Sequence, residues 1–301
     1  MRFELVGVPY TSTAEPGGIA RAIDVLRAAG LLDRLEAAGD VHDAGDLALI
    51  EGDGLRGASG FLHEAALARL VVATREAVTS SHDCHRLPLL VGGDCPVLLG
   101  ALAATRDRHG ACGLMLVDGH EDAWPPSLVA YRGGLGLRGG RGTRPGGRCA
   151  ARTARSPDST ARTRGRGHAR PSRSRRARRE RSALARRNRG HVPRRWRGQS
   201  ARTVLLCARS GHRHRLGAPA FWLHLDLDVL RSEELAAVDY PQPGGLTWQE
   251  LREVGASALT APECAGVSIA IYNPDKDHDR EGAERIVRFA ADLVAAVGET
   301  S

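Results

Sequence analysis

The chain lacks three features that would assign it to a familiar class of protein. None of its apolar runs approaches the roughly 20 residues that a membrane-spanning helix needs. Its start, MRFELVGVPY, carries charges where a secretory leader has an apolar stretch. Its six cysteines show no CxxC spacing, which is typical of reduced thiols. We therefore expect a cytoplasmic protein without membrane contact.

Acidic residues are scarce in one region only. Residues 132–216 contain 27 arginines and two acidic residues, which leaves 16 of the 43 basic residues and 33 of the 35 acidic residues for the rest of the chain. The rest is thus an acidic protein with a net charge of −17. The arginine-rich segment 133–217 has few large aliphatic residues, so it cannot build a core and is predicted to be disordered.

Three interpretations of this arginine-rich segment compete. It is an arm that binds nucleic acid through its charge, a solvated linker, or the product of a reading-frame slip in a GC-rich gene. We favour the slip, because the segment stands where a doubly wound sheet needs strands and helices, whereas natural insertions leave such elements intact. We accordingly expect no nucleic-acid partner.

The remaining sequence alternates between strand and helix patterns. Five apolar runs predict strands: FELVGVPY, LPLLVGGD, GLMLVDGHED, FWLHLDLDVL and AGVSIAIYNPD. Amphipathic helices separate them, one of which begins with a capping box formed by Thr247 and Glu250. This order predicts a single domain over residues 1–301, a three-layer α/β/α fold with a mostly parallel sheet, whose central strands are lost if the arginine-rich segment is a frame slip.

Metal-binding side chains follow the predicted strands. In MLVDGHEDAW, Asp118, His120 and Asp122 alternate, so all three can point to one side of an extended strand end. Asp226 and Asp228 alternate in the same way. Acids at strand ends often face solvent or cap a helix, but their recurrence at successive ends of a parallel sheet favours a two-metal site. Carboxylates with an imidazole suit divalent ions such as Mn²⁺.

The nearby His224 is the ambiguous member of this pattern. It alternates with Asp226 on the same strand and can face the site, yet we expect an ordinary polar contact there.

Five motifs in a fixed order resemble one family. They are GGDCPVLLG, VDGHEDAW, LDLDVL, PGGLTWQEL and IYNPDKD, and they resemble the arginase/agmatinase/formimidoylglutamase (ureohydrolase) family, in which they read GGDH, DAHxD, DxD, GGL and ENP. The resemblance covers roughly residues 1–131 and 221–299. It implies two Mn²⁺ ions that activate water for attack on a guanidinium or formimidoyl carbon. The metal ligands that it implies are Asp118, His120, Asp122, Asp226 and Asp228.

The chain departs from this family at three points. Cys95 stands where the family has a histidine, and a thiolate ligand shifts preference towards Zn²⁺ or Fe²⁺; the alternative is a buried thiol that packs as an apolar group. Ile271 stands where the family has a glutamate for the guanidinium, which argues against arginine or agmatine as the substrate. The family's proton-transfer histidine falls in the arginine-rich segment, so the catalytic residues stay unassigned. The histidines there match no motif: His168, His191, His212 and His214.

The resemblance implies a hydrolase that cleaves a linear, non-peptide C–N bond of a small amidine- or guanidine-type substrate. We include Cys95 among its metal ligands, and we expect a homo-oligomer. The enzyme is inactive if the arginine-rich segment is genuine. The alternative is a non-catalytic protein that retains the fold and binds metal or nucleic acid.

Overall fold

The computed structural model describes residues 1–13, 17–49, 52–120, 206–207, 218–241 and 244–298. Nearly all of the arginine-rich segment therefore lies outside the described residues, together with the interpretations placed on it. The predicted ligand Asp122 lies outside them as well. Within the described part of the chain, no helix combines the length and the apolar composition needed to cross a membrane.

The described strands form one sheet, as the sequence predicts. They are β1 (Arg2–Gly7), β2 (Asp40–Asp46), β3 (Leu87–Val91), β4 (Gly113–Val117), β5 (Leu206–Cys207), β6 (Phe221–Asp226) and β7 (Cys264–Ala270). Their order across the sheet is β2-β1-β3-β7-β6-β4-β5. Each neighbouring pair is parallel except β4 and β5, which are antiparallel. The mostly parallel sheet is thus confirmed.

Helices cover both faces of the sheet. They are α1 (Ala22–Ala28), α2 (Leu31–Ala38), α3 (Glu64–Asp83), α4 (Val97–His109), α5 (Trp248–Leu259) and α6 (Glu281–Gly298). Leu5 of β1 belongs to a core shared with Leu35 of α2 and Ile286 of α6. The next residue, Val6, belongs to a second core with Leu70 of α3. Each such side chain contributes about 1.5–3 kcal/mol when it is fully buried, and the three-layer α/β/α prediction is confirmed.

Two local predictions differ from the structure. The helical segment that follows the first predicted strand is split in two, because Gly30 adopts a φ of 84° between α1 and α2. The strand β2 was not predicted: its sequence, DVHDAGD, offers little apolar surface, and it lies at the edge of the sheet beside β1. By contrast, the capping box of Thr247 and Glu250 at the start of α5 is confirmed.

Candidate metal centre

The predicted ligands lie at the carboxyl ends of strands that are close together in the sheet. Cys95 follows β3, Asp118 follows β4, and Asp226 is the last residue of β6. The strands β3, β7, β6 and β4 stand side by side in that order. Loops at this edge of a parallel sheet form the crevice where ligands of open α/β folds bind.

Cys95, His224 and Asp226 form the first group, called here the Cys95 trio. Each residue offers one candidate ligand atom, and these atoms lie within 4.8 Å of one another. The Cys95 thiol donates to Asp226 Oδ2 at 3.1 Å. All three side chains are buried. A thiol that packed only as an apolar group would not place its sulfur against a carboxylate, although Cys95 also contacts the core.

A glycine pair and a neighbouring aspartate position Cys95. Gly92 and Gly93 adopt φ values of 93° and 69° and turn the chain from β3 towards α4. Asp94 is buried and accepts hydrogen bonds from the backbone N–H of Cys95 at 2.8 Å and of Ser12 at 3.1 Å, and also from the Ser12 hydroxyl. Asp94 therefore anchors the turn through backbone and hydroxyl donors. Burial, and then the charge of Asp94, raise the pKa of the Tyr10 phenol.

His224 is held from the strand next to it. Its Nδ1 lies 2.7 Å from Ser268 Oγ, and the same oxygen accepts a hydrogen bond from Trp222 Nε1 at 3.0 Å. Residues two apart on a strand share a face, so His224 and Asp226 point to the same side of β6. The polar contact expected from the sequence is therefore present, and the ring also joins the Cys95 trio. His224 is the candidate ligand that sequence reasoning set aside, and its alternation with Asp226 was the available signal.

Asp118, His120 and Asp228 form the second group, called here the Asp118 trio. Their candidate ligand atoms also lie within 4.8 Å of one another. His120 Nδ1 is 2.8 Å from Asp228 Oδ2, and the backbone N–H of Gly119 donates to Asp228 Oδ1 at 3.2 Å. The His120 side chain is 16% exposed, compared with 0% for Asp118 and 2% for Asp228. Solvent therefore reaches this trio at the imidazole.

The backbone at both acidic motifs is a turn and not the extended strand that the alternation predicted. β4 ends at Val117, and Asp118 Oδ1 accepts from the backbone N–H of His120 at 2.6 Å. β6 ends at Asp226, whose Oδ1 accepts from the backbone N–H of Asp228 at 2.9 Å. Aspartates favour such turns because their carboxylate bonds the backbone two residues ahead. The hydrogen bond from the backbone N–H of Asp228 to Asp226 Oδ1 also connects the two trios.

The donor atoms fit divalent cations. Asp118, Asp226 and Asp228 are buried, with at most 1% of each residue exposed. Several buried carboxylates close together repel one another and lose their hydration, which is costly unless a cation or protons compensate. Thiolate, imidazole and carboxylate are also the groups that ligate Zn²⁺ and other transition metals. The two trios contain five of the six ligands predicted from the sequence.

Ile271 occupies the carboxyl end of β7, between the ends of β3 and β6. It is completely buried, and its backbone N–H donates to Gly93 O at 3.0 Å. Its φ is 72°, an outlier for a β-branched residue. Such strain, of about 1–3 kcal/mol, persists where the surroundings fix the backbone, and it is concentrated at functional sites.

Comparison with known proteins identifies related sequences and folds. A sequence model described as the Arginase family matches residues 1–142 and 202–297. Arginase from Bacillus caldovelox is 28% identical over 121 residues, which are 39% of this chain and 40% of that protein. The chain matches about two fifths of the length of its curated relatives.

Solved structures extend the likeness over the whole chain. The structure of arginase from Bacillus caldovelox has a TM-score of 0.66 at 18% identity, covering 99% of this chain and 98% of that one. Formimidoylglutamase from Bacillus subtilis subsp. subtilis str. 168 has a TM-score of 0.59 at 13% identity, covering 99% and 88%. At these identities the likeness demonstrates a shared fold.

Proposed function

The chain belongs to the arginase family, and on this premise we propose that it is a metal-dependent hydrolase of a linear, non-peptide C–N bond. One observation carries the proposal: two trios of candidate ligands, most of them buried, lie at the carboxyl edge of the sheet. The family is one of binuclear metal enzymes, and two trios correspond to two ions. The ions would sit where the sheet gathers ligands in related α/β folds.

We assign the ligands residue by residue. Asp118, His120 and Asp228 would hold one divalent ion, and Cys95 with Asp226 would hold the other. Asp122 remains a proposed ligand from the motif alone. When bound, two such ions lower the pKa of water and stabilise the charge that develops on the substrate. Mn²⁺ is the proposed metal, with Zn²⁺ or Fe²⁺ as the alternatives that Cys95 introduces.

The protein's own side chains orient the site and limit its access. Asp228 accepts backbone and imidazole contacts at once, which fixes the His120 ring at the solvent-facing side. The Tyr240 ring packs edge-on against His120 with a centroid separation of 6.3 Å. We propose that the substrate enters beside these two rings, because the other ligands are buried. No described residue is assigned as the catalytic acid or base.

Ile271 restricts the proposed substrate. An apolar side chain supplies no counter-charge for a guanidinium, and an unpaired cation near a buried apolar group is unfavourable. We therefore propose an amidine-type or modified guanidine substrate, for example an N-hydroxylated one. Arginine and agmatine are disfavoured. We propose a small-molecule substrate, because members of the family act on small molecules.

The test combines metal content with hydrolysis. We expect the purified full chain to bind close to two equivalents of divalent metal, measured by inductively coupled plasma mass spectrometry. It should release urea or formamide from members of a panel of guanidines and formimidoyl compounds. Asp118→Asn should lower both the metal content and the rate, because a neutral amide is a poorer ligand for a divalent ion. Asp277→Asn is the matched control, since Asp277 is also buried but bonds Tyr272 and the start of α6.

The competing function is a binding protein that retains the fold. The departures at Cys95 and Ile271 favour it. Near-stoichiometric metal without hydrolysis of any compound in the panel would support that function. Absence of metal from the folded protein would contradict the hydrolase and leave a nucleic-acid-binding protein with this fold as the alternative.

A further inference from the structure

We propose that the two trios are chemically different metal subsites, and that His224 is a metal ligand of the first. The Cys95 trio would take a Zn²⁺-type ion through sulfur, nitrogen and oxygen, and the Asp118 trio would take a harder ion such as Mn²⁺. This inference rests on the proposed metal dependence and deepens it. It replaces a uniform pair of ions by a mixed pair.

The donor atoms carry the first step. The Cys95 trio offers one thiol, one imidazole and one carboxylate, whereas the Asp118 trio offers two carboxylates and one imidazole. Zn²⁺ is bound by cysteine, histidine and acidic side chains. Mn²⁺ prefers oxygen donors, and thiolates select softer ions. The two sets of ligands therefore favour different ions although they lie at the same edge of the sheet.

The orientation of His224 carries the second step. Trp222 Nε1 can only donate, so it uses one lone pair of Ser268 Oγ. The second lone pair can accept Nδ1–H of His224 at the observed 2.7 Å, and in the other tautomer the serine hydroxyl donates to Nδ1. A bound metal would select the first tautomer, which leaves the lone pair of Nε2 for the ion. Ligating histidines in proteins are usually held in this way by a hydrogen bond to the other ring nitrogen.

Burial carries the third step. Cys95, His224 and Asp226 are at most 2% exposed, whereas the His120 side chain is 16% exposed. An ion in the Cys95 trio would thus be enclosed, and one in the Asp118 trio would meet solvent. We infer that the first ion exchanges slowly and the second exchanges readily.

The experiment uses the full chain, stripped of metal and then dialysed against equal concentrations of Zn²⁺ and Mn²⁺. Mass spectrometry of the metals should find about one Zn²⁺ and one Mn²⁺ per chain, and brief treatment with a chelator should remove Mn²⁺ first. In a separate sample, Co²⁺ replaces Zn²⁺ as a spectroscopic probe. The thiolate-to-cobalt charge-transfer absorption should appear with the first equivalent.

Variants separate the ligands from their surroundings. Cys95→Ser should abolish the charge-transfer band, and His224→Gln should weaken Zn²⁺ binding more than about tenfold while the Mn²⁺ equivalent stays. Ser268→Ala should weaken Zn²⁺ binding about 10- to 100-fold, as expected when the partner of a ligating histidine is removed. His82→Gln is the matched control, because His82 is another buried histidine whose Nε2 bonds a backbone oxygen, that of Ala265. Circular dichroism verifies that each variant is folded.

The outcomes distinguish this inference from the proposed function. Two Mn²⁺ per chain with no charge-transfer band would overturn the mixed pair and leave a metal-dependent hydrolase. Unchanged Zn²⁺ affinity in folded His224→Gln would overturn the role of His224. Failure of the folded chain to bind any metal would overturn the proposed function as well.

Discussion

The two edges of the sheet differ in how they accommodate charge. All five buried aspartates among the described residues lie at or after the carboxyl end of a strand: Asp94, Asp118, Asp226, Asp228 and Asp277. Near the amino edge, Arg108 pairs with the exposed Asp83 at 2.9 Å, and the buried His82 bonds a carbonyl. Buried carboxylates are costly unless they are compensated. The buried aspartates are thus concentrated at the edge where we propose metal binding, whereas the ion pair near the amino edge is exposed.

The largest effect expected from this comparison is steric, at the glycine turn of the carboxyl edge. A Cβ on Gly93 would lie 2.9 Å from Val8 O at a φ of 69°, whereas one on Gly110, near the amino edge, would meet nothing within 4 Å at a φ of 79°. Gly93→Ala should therefore lower the free energy of unfolding by about 2–5 kcal/mol, because backbone strain and overpacking add. Gly110→Ala should lose only about 1–2 kcal/mol. Urea unfolding measures the free energy of unfolding of both variants. Equal losses of stability would contradict the close approach of a Gly93 Cβ to Val8.

An intermediate effect, with a change of sign, is expected at Asp226. In metal-free protein, Asp226→Asn should raise the free energy of unfolding by about 1–3 kcal/mol, because it removes a buried charge and keeps an acceptor for the Asp228 N–H. In metal-saturated protein, Asp226→Asn should instead lower the free energy of unfolding, because the variant loses the stabilisation that bound metal provides. A ligand at 100 times its Kd stabilises a protein by about 2.7 kcal/mol.

The control for this variant is Asp83→Asn at the opposite edge. Its exposed ion pair is worth at most about 1 kcal/mol, and metal should not alter that value. If Asp226→Asn destabilises the protein equally with and without metal, then Asp226 has only a structural role.

The smallest effect is a pH dependence at the amino edge. Burial, followed by the nearby charges of Arg108 and His109, lowers the pKa of His82 from 6.5, against opposing effects of the Ala265 carbonyl and Asp83. The unfolded chain then binds more protons, so this contribution to stability is present above about pH 6.5 and is lost as the pH falls below it.

His82→Gln keeps a donor for the Ala265 oxygen and removes the titration. Urea unfolding of this variant and of the original chain should give similar free energies of unfolding at pH 8, and the original chain should fall increasingly below the variant as the pH is lowered to 5. Parallel curves would mean that His82 contributes no proton linkage.

The sequence was sufficient for the strands that are buried on both faces and insufficient where long-range pairing decides. The apolar runs of β3, β6 and β7 gave their positions, because continuous burial requires continuous apolar sequence. β2 escaped prediction because its residues alternate between exposed and half-buried and its pairing with β1 forms it. The pairing of β2 with β1 joins residues that are far apart in the sequence, so a short stretch of sequence does not reveal it.

The site shows the same division. Residue types and their order predicted the placement of Asp118, Asp226 and Asp228 in the two trios. The alternation rule gave the wrong backbone, since side-chain bonds from Asp118 and Asp226 close turns that periodicity does not describe. His224 was ambiguous because a single histidine on a strand has the same pattern whether it bonds a serine or faces a ligand. Ser268, which orients it, lies 44 residues further along the chain.

The bond from Asp226 to the backbone of Asp228 has a thermodynamic consequence for the proposed metals. Asp226 contacts the Cys95 thiol with one oxygen and fixes Asp228 with the other. An ion that orients this carboxylate therefore also pre-organises the second trio. The affinities would be linked, and the linkage must be reciprocal: each ion strengthens the other by the same factor. A titration with a single metal should then be steeper than that of two independent sites.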